Sequence, residues 1–153
     1  MATPTILIVG AGHVGRAVVE LASWLGHRTL VWDDRPELLD SIPGADVVLD
    51  TSLEEALQRE PVDADTAIVV VTRNVELDVE ILPHLLATPA AYVGLMGSAR
   101  RWRTTRAALA ELGIDDADLA RVTSPIGLEI HAETPEEIAV SILAEVVGRW
   151  RDS

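Results

Sequence analysis

Hydrophobic residues fall along this chain in two alternating rhythms. Short unbroken apolar runs are followed by longer stretches in which apolar positions recur at every third or fourth residue. The first rhythm suits strands covered on both faces, and the second suits helices with one apolar stripe. Thr5–Val9 predicts the first strand. Val14–Leu25 predicts the first helix, with Val14, Val18, Leu21 and Leu25 on one stripe and Gly26 as its stop. Thr29–Trp32 is the second strand, Glu37–Ser41 a short helix or turn, and Asp46–Leu49 the third strand. Ser52 caps a helix over Leu53–Arg59, with Glu55 as its box partner. Thr66–Thr72 is a fourth, almost wholly apolar strand, as a central position requires.

Asn74 then caps a helix reaching about Leu86, which Pro83 should kink or end early. Ala91–Leu95 is the fifth strand, and the helix Ala99–Leu112 runs from a Ser98 cap to a Gly113 stop. One helical turn over Asp115–Ala120 leads to a sixth strand, Arg121–Ser124. Thr134-Pro-Glu-Glu137 is a capping box with proline at the first helical position, and it opens the last helix, Pro135–Val147. Strand and helix alternate throughout, so the expectation is an α/β fold. It is one domain over residues 1–153, with a doubly wound parallel sheet of six strands in the order 3-2-1-4-5-6.

Ligands of such sheets bind beyond the carboxyl ends of the strands, where the strand order reverses. The first segment predicted there reads Gly10-Ala-Gly12-His13-Val14-Gly15, a G-x-G-x-x-G between a strand and a helix. Gly10 permits the turn, Gly12 lets backbone approach a pyrophosphate, and Gly15 lets helix pack close to strand. His13 and Val14 open the helix whose N–H groups and dipole face that phosphate. Asp33 ends the next strand, where a carboxylate takes a ribose hydroxyl and disfavours a 2′-phosphate. Arg35 stands where an arginine accommodates that phosphate, or else forms a turn with Asp34 and Pro36. The ligand expected is NAD or another adenosine-bearing molecule, with NADP as the variant; Thr72 ends the fourth strand at the same edge.

Two further segments share that edge. Gly94-Leu-Met-Gly97-Ser98-Ala-Arg100-Arg101 places arginines in the first turn of a helix, where the dipole makes each unfavourable by about 0.3–1 kcal/mol. A bound anion removes this conflict, since Gly97, the Ser98 cap and the guanidinium forks all suit phosphate; arginines reaching out to acidic surface are the alternative. Arg103 and Arg106 fit a solvated face. Ser124-Pro125-Ile-Gly127 follows the sixth strand, so Pro125 and Gly127 are either a simple turn or a ligand contact. Glu133, just before the capping box, is a further candidate acid.

Composition narrows the chemistry. The net charge of −13 argues against nucleic acid and anionic membrane as partners. No apolar run is long enough to span a bilayer and the N-terminus lacks a basic start, so a cytoplasmic location is expected. Without cysteine there is no disulfide, thiolate nucleophile or persulfide, and without lysine no Schiff base. The four histidines, His13, His27, His84 and His131, form no metal-ligand spacing, and His27 and His84 read as surface residues. No nucleophile elbow is present, and no bond-making residue or metal ligand is assigned.

Taken together, these segments resemble the C-terminal Rossmann domain of the XdhC/CoxF family, the xanthine dehydrogenase accessory factors. The matching stretches are Gly10–Ala17, Val31–Glu37, Ala67–Thr72, Ala91–Ser98 with its arginines, and Ser124–Ile130 running into Ala132–Ile142. The last is the most specific, because no general rule of dinucleotide folds requires it. The resemblance implies a part in maturing molybdenum hydroxylases of the xanthine or CO dehydrogenase type. It implies binding of molybdenum cofactor, a phosphorylated pterin in some forms extended to a dinucleotide, and its delivery to the apoenzyme.

The implied partners are that apoenzyme and a separate N-terminal-type domain of the family or a sulfur donor, because this chain carries no cysteine. The chain departs from the family pattern at Arg73, where many relatives carry histidine, and at His131, where glycine is usual. It is expected to be a stand-alone domain, with apolar residues on outer helices permitting a homodimer. An NAD(P)-dependent oxidoreductase and a nucleotide-sensing regulatory module are the alternatives.

Overall fold

In the computed structural model, which describes residues 3–153, β1 (Thr5–Val9) and β4 (Thr66–Val70) pair in parallel at the centre of one sheet. Outward from β1 lie β2 (Thr29–Trp32) and β3 (Val47–Leu49); outward from β4 lie β5 (Tyr92–Leu95) and β6 (Val122–Thr123). All pairings are parallel, and the order is the predicted 3-2-1-4-5-6. The reversal falls between β1 and β4, so a crevice opens above their carboxyl ends.

Residue alternation along the strands divides the core in two. Ile6, Ile8, Val31, Val69 and Tyr92 face α1 (His13–Trp24) and α6 (Pro135–Asp152). Leu7, Val9, Trp32, Ile68 and Val93 face α2 (Leu53–Arg59), α3 (Val75–Leu86) and α4 (Ala99–Glu111). A single turn, α5 (Asp116–Leu119), precedes β6, and a 3-10 turn over Pro36–Leu39 follows β2. Strands covered on both sides explain why the central sequences read as unbroken apolar runs.

Several boundaries differ from the sequence pattern. α3 does not end at Pro83: one backbone bond is lost there, but buried Leu82, Leu85 and Leu86 hold the last turn. Each such leucine contributes about 1.5–3 kcal/mol on burial, enough to offset the missing bond. α6 continues past Val147 to Asp152, and Arg149 on that extension lies 5.7 Å from the Tyr92 ring centroid and donates to Thr123 Oγ1 at 3.3 Å. His27 is buried rather than on the surface; its Nδ1–H donates to the Pro4 carbonyl at 2.9 Å. No helix among the described residues is long and apolar enough to cross a membrane.

Candidate functional site

The glycine loop is built by steric necessity. Gly10 has φ +121°, and a Cβ there would lie 2.6 Å from the Val71 carbonyl oxygen. A Cβ on Gly15 would lie 1.8 Å from the Gly10 carbonyl oxygen, so α1 can approach β1 only with glycine at this place. Gly12 is different: nothing stands within 4 Å of where its Cβ would be. It is the N-cap of α1 and supplies no side-chain oxygen, and no acid sits in the first turn. α2, α3, α4 and α6 are instead capped by Ser52, Asn74, Ser98 and Thr134. The start of α1 is therefore an uncapped donor cluster with positive potential. His13 is exposed beside it, and half-buried Val14 packs against the core below.

The next group lies on either side of β1. Asp33, at the end of β2, has a buried side chain that accepts four N–H bonds. Oδ2 takes Ala11 N–H at 2.7 Å and Arg35 Nη2 at 3.1 Å; Oδ1 takes Arg35 N–H at 2.8 Å and Nε at 3.0 Å. Burial alone pushes this carboxyl up, but the Arg35 guanidinium and the Ala11 and Arg35 amides outweigh it. The net effect holds Asp33 below the ordinary carboxylate range. Beside it, Arg73 at the end of β4 pairs with Asp34 through two bonds of 2.9 Å. Gly10, Asp33, Asp34, Arg35, Thr72 and Arg73 line one narrow crevice. It shares Trp32, Asp33, Asp34 and Leu77 with an open groove of about 530 Å³ between the ends of β2 and β3 and helices α2 and α3.

The arginines of α4 divide. Arg100 is exposed. Arg101 turns inward and donates to Asp78 Oδ2 from Nη2 at 2.7 Å and Nε at 3.1 Å, and to Thr72 Oγ1 at 3.2 Å. Thr72 in turn donates to Asp78 Oδ1, and Ser98 Oγ accepts the Arg101 N–H at 3.0 Å. Gly97, at φ +138°, lets the chain turn over the Arg101 side chain. Burial pushes the Asp78 carboxyl up, against the opposing pull of Thr72 and Arg101.

Beyond β6 the Ser124–Pro125 peptide is cis, and Ile126 N–H donates to the Leu95 carbonyl at 3.1 Å. Gly127 has φ +95°, and a Cβ there would fall 2.2 Å from Ser141 Oγ. Glu145 accepts from Tyr92 Oη at 2.5 Å and Gly127 N–H at 3.3 Å, which ties this segment to α6 and β5. Burial and the neighbouring Glu145 push the Tyr92 phenol well above its ordinary value.

Residues 6–146 match the family described as the XdhC Rossmann domain. The chain belongs to that family. Among similar proteins is a probable xanthine dehydrogenase subunit from Bacillus subtilis strain 168. It is 34% identical over 146 residues, covering 94% of this chain and 42% of that protein. A molybdenum cofactor insertion chaperone, PaoD of Escherichia coli K12, is 27% identical over 87 residues, covering 57% of this chain and 27% of that protein. A crystal structure of a xanthine dehydrogenase from Bacillus halodurans superposes with TM-score 0.81 and 32% identity, covering 98% of this chain and 45% of that one. The chain spans between about a quarter and a half of the length of the curated relatives it matches.

In this XdhC Rossmann domain the predicted residues gather along one sheet edge but do different work. Gly10 and Gly15 shape the loop by steric demand, and Gly12 leaves open space at the uncapped start of α1. Ser98 and Arg101 are engaged internally, while Pro125 is exposed. Sequence reasoning misses Asp78; its signal is an acid on the apolar face of α3 between Leu77 and Ile81. It places Arg73 at the ligand edge, within Thr72–Asn74, but assigns it no contact. His131 has φ +57°, a left-handed conformation that explains why the resemblance leads one to expect glycine there. Among the described residues no cluster of histidines and carboxylates could hold a metal ion.

Proposed function

We propose that this XdhC Rossmann domain binds a nucleotide-bearing ligand and acts as an accessory factor in the maturation of a molybdenum hydroxylase in the cytoplasm. The ligand is NAD(P) or molybdenum cofactor, in its pterin or dinucleotide form. The observation that carries the reading is the start of α1. The helix has no side-chain cap and Gly12 has open space where a Cβ would stand, at the carboxyl edge where ligands of this fold bind. Membership in the XdhC family and the similarity to a molybdenum cofactor insertion chaperone supply the biological direction.

In this reading the chain holds and presents rather than transforms. The α1 amides and Gly12 take the diphosphate, and the exposed Arg100 and Pro125 offer contacts to the partner enzyme. Delivered cofactor would supply the redox centre of that enzyme. The test is co-expression of the full chain with a molybdenum hydroxylase, comparing molybdenum content and turnover with and without it. Mass spectrometry of small molecules released from the purified chain goes alongside. A hydroxylase equally loaded and equally active without the chain would sink the accessory role.

A further inference from the structure

The residue expected to read the ribose has no acceptor capacity left. Selecting free ribose hydroxyls requires a carboxylate with open lone pairs. Asp33 already accepts four N–H bonds, and its side chain is 1% exposed. Releasing any of them leaves a buried donor or a buried charge unsatisfied. Two cations, Arg35 and Arg73, face the crevice mouth, with the carboxylate of Asp34 between them. Arg35 uses Nε and Nη2 on Asp33, and its Nη1 makes no hydrogen bond among the described residues. Arg73 faces it from the end of β4.

We propose that Arg73 and Arg35 form a phosphomonoester subsite that selects adenosine carrying a 2′-phosphate over adenosine with free ribose hydroxyls. This rests on the reading that the glycine loop holds a nucleotide. β2 and β4 both pair with β1, so the two arginines straddle the loop that follows β1. Once Asp34 has left Arg73, a nucleotide whose diphosphate lies on the α1 amides has its ribose between the two arginines and its base towards the groove beside Trp32 and Leu77.

Asp34 acts as the resident counter-ion. Its bridge to Arg73 is open to solvent, with side chains 33% and 41% exposed, and such pairs contribute only about 0–1 kcal/mol. A phosphate dianion offers Arg73 the same two-pronged geometry with more charge. Ligand uptake is therefore an exchange in which Asp34 swings out and phosphate takes its place.

Titration calorimetry on the full chain with NADP⁺, NAD⁺, adenosine 2′,5′-bisphosphate and ADP tests this. NADP⁺ should bind at least about tenfold tighter than NAD⁺, the size of one charge-assisted contact. The bisphosphate should exceed ADP by a similar factor. Arg73→Ala should remove most of that preference, lowering NADP⁺ affinity by about tenfold more than NAD⁺ affinity; Arg73 is exposed, and near-ultraviolet circular dichroism checks that the variant is folded. Asp34→Asn should tighten NADP⁺ binding, because the competing carboxylate charge is gone. Equal or tighter binding of NAD⁺, or a loss in Arg73→Ala shared equally by both dinucleotides, overturns the subsite and leaves the nucleotide reading intact. No binding of any of the four overturns the subsite together with the reading that the glycine loop takes an adenosine nucleotide.

Discussion

Arg101 and Asp78 join the start of α4 to the buried face of α3 through bonds of 2.7 and 3.1 Å to one carboxylate oxygen. The Asp78 carboxylate is fully buried. An arginine in the first turn of a helix opposes the helix dipole, and in the sequence this conflict points outward to a bound anion. For Arg101 the compensating anion is internal. The pair, with Thr72, ties together the end of β4 and the starts of α3 and α4 at the ligand edge of the sheet.

Arg101→Ala should therefore destabilise the fold by about 3–5 kcal/mol, the cost of leaving a buried charge unpaired. Replacing both members, as in Arg101→Met with Asp78→Leu, should cost far less than the sum of the single changes. Urea unfolding of the four proteins measures the coupling. The Arg101→Ala penalty should also shrink in acid. A buried carboxyl pushed above its unfolded value destabilises only while ionised, so lowering the pH through its raised pKa restores stability. Additive single effects would show that the pair is incidental.

The glycine loop separates structure from binding at two positions three residues apart. Gly15→Ala puts a methyl group 1.8 Å from a carbonyl oxygen and should cost about 3 kcal/mol or more. Gly12→Ala meets nothing within 4 Å and changes only the N-cap, costing under about 1 kcal/mol. Its methyl group nevertheless projects over the uncapped start of α1, so nucleotide affinity should fall at least about tenfold, a loss of roughly 1.4 kcal/mol or more. Thermal unfolding and calorimetry on the same two variants provide the check. A Gly12→Ala protein that unfolds early, or binds as wild type does, would refute the assignment.

How much of the molecule is legible in its sequence follows from the range of each interaction. Helix register and caps are local or periodic, and Ser52, Asn74 and Thr134 announce them directly; strand order follows from the alternation of strand and helix through the rule for doubly wound sheets. Gly10 and Gly15 are legible because steric demands at a tight turn leave only one residue type, and Gly12 because it completes their motif. Pairings across the sheet edge are not. Nothing local says that Arg101 meets Asp78, 23 positions away, or that Arg73 meets Asp34, 39 positions away. Charged residues carry no periodic mark of their partner. The bond from Ala11 N–H to Asp33 is likewise hidden, because it forms only when β1 and β2 pair. His27 reads as exposed for the same reason, since the Pro4 carbonyl that it meets comes from the residue just before β1.

The segment beyond β6 gives a third prediction. Gly127 combines a left-handed backbone with close contact against α6, where Ser141 Oγ also donates to the Leu128 carbonyl at 2.8 Å. Gly127→Ala should cost about 2–4 kcal/mol, from backbone strain and overpacking together. Adding Ser141→Ala should not rescue it, because the backbone carbon of Ser141 remains 3.2 Å from the new methyl group and a hydrogen bond is lost as well. Chemical denaturation midpoints of the single and double variants decide this; full rescue would mean that the side-chain contact alone fixes the glycine.

Asp33 offers a pH-dependent prediction that also decides its role. Its carboxyl is held below the unfolded value of about 3.9, so its stabilisation is present above that pH and lost as pH falls through the lower folded value. Asp33→Asn keeps one acceptor for the Ala11 N–H but leaves Arg35 without its counter-charge. It should be less stable than wild type by about 2–3 kcal/mol at neutral pH. The gap should narrow as the pH is lowered below the ordinary carboxylate range, because the wild-type group then loses its charge too. Urea midpoints measured from neutral pH down into that range test the sign; a gap that stays constant would show that the charge contributes nothing. Binding then separates the two roles. If Asp33→Asn binds NAD⁺ as wild type does while losing stability, Asp33 braces the glycine loop; a selective loss of NAD⁺ would return it to the ribose.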